Sequence, residues 1–63
     1  MSVSQESRDQ VFNWMQAEVA DFADSLDLAV CCASDLELLE DDNGTYNVPE
    51  WILDLAETFI PNA

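Results

Sequence analysis

Hydrophobic residues recur at spacings of three and four along most of the chain, which is the period of an amphipathic α-helix. The pattern is clearest between Asn47 and Pro61, where a proline stands near each end and limits the helix. In a helical projection, one side of this segment is apolar and the opposite side carries Glu50, Asp54 and Glu57. The apolar positions are Val48, Ile52, Leu55, Ala56 and Phe59. We therefore predict a helix with one buried face and one row of carboxylates.

The segment from Ser4 to Ser25 has the same period and predicts a first helix with a broad apolar face. Ser2, with Gln5 three residues later, fits a capping box, and Ser4 is a competing N-cap. No glycine or proline marks the end of this helix, so we place the break near Leu26 to Asp27. The apolar face is expected to contain Val11, Phe12, Met15, Val19, Phe22, Ala23 and Leu26.

A second helix is predicted from Leu28 to about Glu40, with Ser25 or Asp27 as its cap. Its inner side is expected to hold leucines and both cysteines, together with two alanines that allow close approach of another helix. These positions are Leu28, Ala29, Cys31, Cys32, Ala33, Leu36 and Leu39. Acidic residues crowd the C-terminal half of this helix, where they oppose the helix dipole. We expect this end to fray or to be neutralised by a partner.

Asn43 and Gly44 predict a turn before the third helix, because both residues tolerate positive φ. Gly44 is expected to end the second helix as a left-handed cap. The alternative is a short hairpin that pairs residues 36–40 with residues 46–48. The predicted fold class is all-α, a small single acidic domain over residues 1–63, in which an acidic Asn-Gly turn joins the second and third helices.

The composition adds a strong negative charge to this picture. The chain has 14 acidic residues against one basic residue, Arg8, and its formal net charge is −13. One cation cannot neutralise the phosphates of a nucleic acid, and anionic lipid surfaces would repel the chain. Direct binding to nucleic acid or to a membrane is therefore not expected. We expect a partner that is basic or that carries a metal cation.

The sequence also favours a cytoplasmic location. No stretch approaches the length of apolar residues that a membrane span requires, and the first ten residues lack the basic and apolar regions of a signal peptide. Cys31 and Cys32 are adjacent, so a disulfide between them would be strained and would close no useful loop. They are expected to be reduced, small apolar residues, as is usual in the cytosol.

Catalytic chemistry is not indicated, and we do not expect an enzyme. A cysteine nucleophile needs a nearby base or cation to form its thiolate, and the chain has no His or Lys. Paired carboxylates can share acid and base roles, but only where a pocket holds them beside a substrate. A domain of this size offers little room for such a pocket, and no cofactor is expected.

A calcium site is an alternative. When Gly44 is aligned with the invariant glycine of an EF-hand loop, residues 39–50 match part of the ligand pattern. The matching positions are Asp41, Asn43, Thr45, Asn47 and Glu50. Leu39 stands where the loop needs its first Asp, and Pro49 falls inside the loop. Calcium binding is therefore the weaker hypothesis.

The acidic residues form rows with a spacing similar to that of a nucleic-acid backbone. On a first helix that reaches Ser25, Glu18, Asp21 and Asp24 recur about every 4.5 Å, against about 3.4 Å per phosphate. Trp14 falls on the polar side of that helix, where it is either covered by another helix or exposed as a binding anchor. The predicted partner-binding residues are Trp14, Glu18, Asp21, Asp24, Asp35, Glu37, Glu40, Asp41, Asp42, Glu50, Asp54 and Glu57, with Tyr46, Leu53 and Ile60 as further apolar contacts.

These features favour a non-enzymatic DNA or RNA mimic that binds a basic nucleic-acid-binding protein and blocks it by steric and electrostatic occlusion. By analogy, the expected setting is a short acidic blocker of host defence encoded by a phage or mobile element, such as an anti-CRISPR protein. Three alternatives stay open. The first is that the charge is an adaptation to a salt-rich cytoplasm. The second is that the charge only keeps the domain soluble. The third is that the protein is an interaction module that uses an apolar patch, as a monomer or as a homodimer.

Overall fold

Residues 3–42 and 44–61, described by a computed structural model, form three α-helices and one short β-hairpin. The elements in chain order are α1 (Gln5–Glu18), α2 (Ser25–Asp35), β1 (Glu40–Asp42), β2 (Thr45–Asn47) and α3 (Glu50–Phe59). The all-α fold class with three helices, predicted from the hydrophobic period, is confirmed. None of the helices in these ranges is long and apolar enough to cross a membrane.

Side chains from all three helices meet in one apolar core within the described residues. The fully buried members are Val11, Met15, Leu28, Ala29, Cys32, Ala33, Ile52 and Ala56. Full burial of a Val, Leu, Ile or Met side chain contributes about 1.5–3 kcal/mol. Because helices of this length are marginal in isolation, this shared core is what stabilises them.

α1 begins with a serine cap and ends earlier than predicted. The backbone N–H of Ser7 donates to Oγ of Ser4 at 3.2 Å, so Ser4 is the N-cap. The competing cap, Ser2, lies outside the described residues. The helix ends at Glu18 and is followed by a short 3-10 turn, Val19–Asp21. The prediction that the first helix continues to Ser25 is wrong.

A strong cap at the start of α2 explains the early break. Asp24 has an extended backbone, with φ −140° and ψ 162°, and its Oδ1 accepts the backbone N–H of Asp27 at 2.8 Å. A carboxylate here satisfies an amide that has no partner inside the helix, and it complements the positive end of the dipole. α2 therefore starts at Ser25. The predicted caps, Ser25 and Asp27, and the predicted break near Leu26 are wrong.

This geometry exposes several side chains that the period predicted to be buried. Phe12 is 44% exposed, although it lies on α1 next to the buried Val11. Leu26 is 60% exposed, because it belongs to the first turn of α2 and not to the apolar face of α1. Ala23 and Cys31 are exposed as well. The predicted core is therefore too broad on the first helix and on the cysteine side of the second.

α2 ends at Asp35 in a Schellman motif. The N–H of Leu38 donates to the carbonyl of Ala33 at 2.7 Å. The N–H of Glu37 donates to the carbonyl of Ser34 at 3.2 Å. Glu37 has the left-handed conformation that the motif requires, with φ 58°, at a position where glycine is usual. A glutamate with a strained backbone therefore ends the second helix.

The second helix is shorter than predicted, and a hairpin takes up the remaining residues. The predictions that it runs to about Glu40 and that Gly44 caps it are wrong. Gly44, with φ 81°, instead lies in the turn between β1 and β2, which pair antiparallel with Glu40 opposite Asn47. The other turn residue, Asn43, lies outside the described residues. The hairpin alternative is right in kind, but its strands are shifted along the chain.

α3 agrees closely with its prediction. Pro49 is the N-cap, and its carbonyl accepts the backbone N–H of Leu53 at 3.2 Å. Ile52 and Ala56 are fully buried. The remaining predicted apolar positions are half-buried, namely Val48, Leu55 and Phe59. The prolines at both ends limit this helix, as expected.

Candidate protein-binding surface

The acidic side chains lie at the surface. Among the residues whose side chains the structure describes, no Asp or Glu is buried and only Glu18 is half-buried. The side chain of Asp42 lies outside the described part of the chain. The predicted partner-binding acids fall into three groups along the fold: Glu18, Asp21 and Asp24 between α1 and α2; Asp35, Glu37, Glu40 and Asp41 from the end of α2 into β1; and Glu50, Asp54 and Glu57 on α3.

The first group does not form the predicted helical row. Glu18 is the last residue of α1, Asp21 lies in the 3-10 turn, and Asp24 is the N-cap of α2. The regular axial spacing assumed for these carboxylates requires one continuous helix, which the cap at Asp24 prevents. The prediction of a phosphate-like row of carboxylates along the first helix is therefore wrong.

The second group, Asp35, Glu37, Glu40 and Asp41, is the densest, and we call it the α2-end acidic segment. It lies at the C-terminal end of α2, where the helix dipole adds a partial negative charge of its own. Glu40 and Asp41 are neighbours on β1, so their side chains project from opposite faces of the hairpin. This segment therefore has carboxylates on more than one side of the end of α2.

Trp14 contacts this segment directly. Its indole N–H donates to Oδ2 of Asp35 at 2.8 Å, although 21 residues separate the two in sequence. Its ring lies 6.1 Å from the ring of Phe22, between centroids, at a tilt of 45°. Trp14 is half-buried, so the ring is partly covered while one part stays at the surface. The structure thus places the predicted anchor beside one of the predicted acids.

The third group keeps its predicted arrangement. Glu50, Asp54 and Glu57 are all exposed on α3, at spacings of four and three residues that place them along one side of the helix. The further apolar contacts are less open than predicted, because Leu53 and Ile60 are half-buried against the core. The side chain of Tyr46 lies outside the described part of the chain.

A groove between α1 and α3 has a volume of about 600 Å³. Its walls include the carboxylates of Asp9 and Asp54 and the aromatic rings of Phe12 and Trp51. Arg8, the only basic residue of the chain, also lines it. The guanidinium carbon of Arg8 lies 5.5 Å from the centroid of the Trp51 ring, within the range of a cation–π interaction.

Trp51 also lines a second, smaller groove of about 270 Å³. That groove includes Leu38, Glu40 and Pro49, so it extends toward the α2-end acidic segment. The indole of Trp51 is half-buried and forms a boundary between the two grooves. An aromatic surface with carboxylates on both sides therefore connects α3 to the start of the hairpin.

The hydrophobic period does not predict this aromatic surface. It places Phe12 in the core and gives Trp51 no role. The sequence holds one signal for this surface. Arg8 is the only basic residue, and its cation is expected to contact an aromatic or acidic side chain. The packing of Phe12 against Phe59, with ring centroids 5.4 Å apart, depends on how α1 crosses α3, which periodicity does not specify.

Two residues of the calcium alternative, Asp41 and Asn47, do not share a face of the hairpin. Asp41 lies opposite Tyr46 and Asn47 lies opposite Glu40, so the side chains of Asp41 and Asn47 project from opposite faces of the hairpin. Asn43 and the side chain of Thr45 lie outside the described residues. Across residues 3–42 and 44–61, no group of three or more Asp, Glu or Cys side chains is arranged to hold a metal ion. The geometry therefore gives no support to an EF-hand-like site.

The two adjacent cysteines have different environments, and both thiols are free. Cys31 is exposed, whereas Cys32 is fully buried in the core. Burial raises the pKa of the Cys32 thiol from 9.0 to about 11, and the Asp35 carboxylate adds to this rise. Cys32 is therefore a protonated, apolar core residue at neutral pH.

Comparison with known proteins adds no family to this description. No protein-family model matches the chain. No curated protein and no solved structure matches it at a significant level.

Proposed function

We propose that the protein is a non-enzymatic acidic binding protein that occupies the cationic surface of a basic nucleic-acid-binding protein and competes there with DNA or RNA. The formal net charge of −13 and the surface position of the described carboxylates support an electrostatic interaction with such a partner. The mechanism is occlusion, in which carboxylates pair with the Lys and Arg side chains that otherwise contact phosphates.

The observation that carries this proposal is the placement of acids where they reduce stability. Glu37 adopts the left-handed conformation in which a glycine would be unstrained. Asp35 lies in the last turn of α2, where the helix dipole favours a cation. If the acids only kept the domain soluble, they would do so equally well at surface positions without backbone strain or an opposing helix dipole. Acids at costly positions favour a role in binding.

The α2-end acidic segment is accordingly the centre of the proposed interface. Trp14 lies beside it through the bond to Asp35 and offers part of an aromatic ring as a desolvated contact. Glu50, Asp54 and Glu57 on α3 supply additional carboxylates. The setting that fits such a protein is an inhibitor of host defence encoded by a phage or mobile element, such as an anti-CRISPR.

Affinity capture with competing elution tests the proposal. The protein is immobilised, a cell lysate is applied, and bound proteins are released first by duplex DNA and then by salt. We expect a basic nucleic-acid-binding protein in the duplex eluate. A neutral partner that remains bound through the salt step would contradict the proposal.

A charge-matched pair of variants then locates the interface on the captured partner. The test variant carries Glu37→Gln and Asp41→Asn, and the control carries Glu6→Gln and Asp27→Asn. Each removes two of the exposed acids, but only the test variant changes the α2-end acidic segment. We expect the test variant to lose more affinity. Equal losses would mean that only total charge matters.

One observation favours a second candidate function, an interaction module with an apolar patch. Leu26 is 60% exposed and Val30 is 41% exposed, and they lie one turn apart on α2. A partner bound there, including a second copy of the chain, would be held mainly by apolar contacts. Its affinity would then change little with ionic strength, whereas affinity for the acidic surface falls as charges are screened.

A further inference from the structure

We infer that the groove between α1 and α3 binds an arginine side chain of the basic partner, stacked on Trp51 and hydrogen-bonded to the carboxylate of Asp54. The inference rests on the proposed function, because it names a contact that a basic partner would make. It also adds a specific aromatic site to what is otherwise a charge-driven interaction.

The lining of the groove matches the chemistry of a guanidinium group. Asp54 lines the groove from α3 and is exposed. Asp9 is exposed on the facing helix, where its Oδ1 accepts the side-chain N–H of Gln5 at 2.9 Å. A carboxylate has about four lone-pair sites, so Asp9 retains acceptor capacity beyond this bond. Phe12 and Trp51 supply apolar faces in the same groove. Charge complementarity therefore favours a cation with a flat, polarisable group.

The position of Arg8 shows that a guanidinium fits this surface. Its guanidinium carbon lies 5.5 Å from the centroid of the Trp51 ring, so the indole presents a π face to the groove. The Arg8 side chain is itself exposed. A cation–π contact at an exposed position is weak, so an incoming guanidinium that also bonds to Asp54 can displace it. We assign Arg8 the role of an internal occupant that a partner arginine replaces.

Arginine suits the site better than lysine. A guanidinium stacks on an aromatic ring and at the same time donates two parallel hydrogen bonds to a carboxylate. An ammonium group is a compact and strongly hydrated charge that cannot make both contacts in the same way. The preference for arginine over lysine is therefore the signature of this groove. General attraction to a negative surface would not produce it, because both side chains carry the same charge.

Titration with two synthetic peptides of equal length, one of oligo-arginine and one of oligo-lysine, tests the inference on the full chain. We expect the wild type to bind oligo-arginine roughly fivefold more tightly than oligo-lysine. Trp51→Leu should bring the two affinities together. Arg8→Gln should raise the affinity for oligo-arginine roughly twofold to fivefold, because the internal occupant is gone.

Two further measurements remain informative if the Trp51 variant does not fold. Asp54→Asn should weaken oligo-arginine binding more than Asp27→Asn, which removes the same charge from an exposed position outside the groove. In the NMR spectrum of the wild type, the indole N–H signal of Trp51 should shift during the titration more than that of Trp14.

The outcomes separate the inference from the proposed function. Equal binding of both peptides, with no shift of the Trp51 indole signal, would overturn the arginine site and leave the proposed function standing. A shift confined to Trp14 would move the contact to the α2-end acidic segment and would also overturn it. If neither peptide binds at low ionic strength, the proposed function fails together with the inference.

Discussion

The indole of Trp14 and the carboxylate of Asp35 form a 2.8 Å hydrogen bond that joins α1 to the last turn of α2. An acid at the C-terminal end of a helix opposes the dipole, and the indole N–H offsets part of that cost. Because this bond links the two helices at the surface, it affects the stability of the fold as well as the charge of the proposed interface.

Trp14→Phe is therefore expected to lower the free energy of unfolding by about 1 kcal/mol, the usual net value of one hydrogen bond. Urea denaturation measures it. A double-mutant cycle with Asp35→Ala separates the bond from the change in ring size. If Asp35→Ala has the same effect with and without the Trp14 substitution, the two residues are not energetically coupled.

The left-handed conformation of Glu37 gives a second prediction. Glu37→Gly should raise the free energy of unfolding by roughly 0.5–1 kcal/mol, because the backbone strain disappears while the unfolded chain gains some freedom. Glu37→Gln is the matched control, since it removes the same charge and keeps the strain. Thermal or urea unfolding of both variants measures the difference. If the two variants are equally stable, charge and not backbone strain is the cause of any gain.

The buried thiol of Cys32 makes stability depend on alkaline pH. Its pKa is raised to about 11 in the folded protein, so folding favours the protonated thiol. The contribution is fully present below the unfolded pKa of 9.0 and is lost as the pH rises from 9.0 to about 11. The urea midpoint should fall over this window. Cys32→Ala should show a shallower fall, whereas Cys31→Ala, at an exposed position, should match the wild type.

Added salt should stabilise the folded protein. With 14 acidic residues and one basic residue, repulsion among the carboxylates opposes the compact state. Screening shortens the reach of this repulsion from about 30 Å at 0.01 M to about 3 Å at 1 M. The melting temperature should therefore rise across this range of sodium chloride, and less steeply for the Glu37→Gln and Asp41→Asn variant. A flat response in the wild type would show that the acids are too far apart to repel one another.

The hydrophobic period was sufficient to predict the helical fold. It was most accurate for α3, because Pro49 and Pro61 mark the ends and the apolar side is narrow. It placed the end of the first helix too late, because the cap that stops it is an aspartate among many acids. Asp24 is the acid whose side chain accepts the N–H of Asp27, and composition alone does not show this.

The end of α2 was not predictable for a related reason. Left-handed caps are usually glycine, so Gly44 was the natural expectation and Glu37 was not. The surrounding Schellman hydrogen bonds hold Glu37 in a conformation that its own preferences oppose. Once the helix stops at Asp35, the residues around Gly44 are free to pair as a hairpin.

The candidate surface was predicted in its chemistry and only partly in its geometry. The exposed row on α3 follows from the helical period of Glu50, Asp54 and Glu57. The contact between Arg8 and Trp51 joins residues from opposite ends of the chain. Such a contact depends on the angle and distance at which α1 crosses α3, and neither can be derived from the period of one helix.

The hairpin has an additional consequence for the behaviour of many copies of the chain. In the described structure β1 and β2 pair only with each other, so each leaves one edge open. Open edges are where foreign strands add and where fibrils start. The residues of β1, Glu40–Asp42, are three consecutive acids, so a second copy that approached in register would place its own anions against them. The same repulsion that weakens the folded chain therefore disfavours pairing between the β1 edges of two copies.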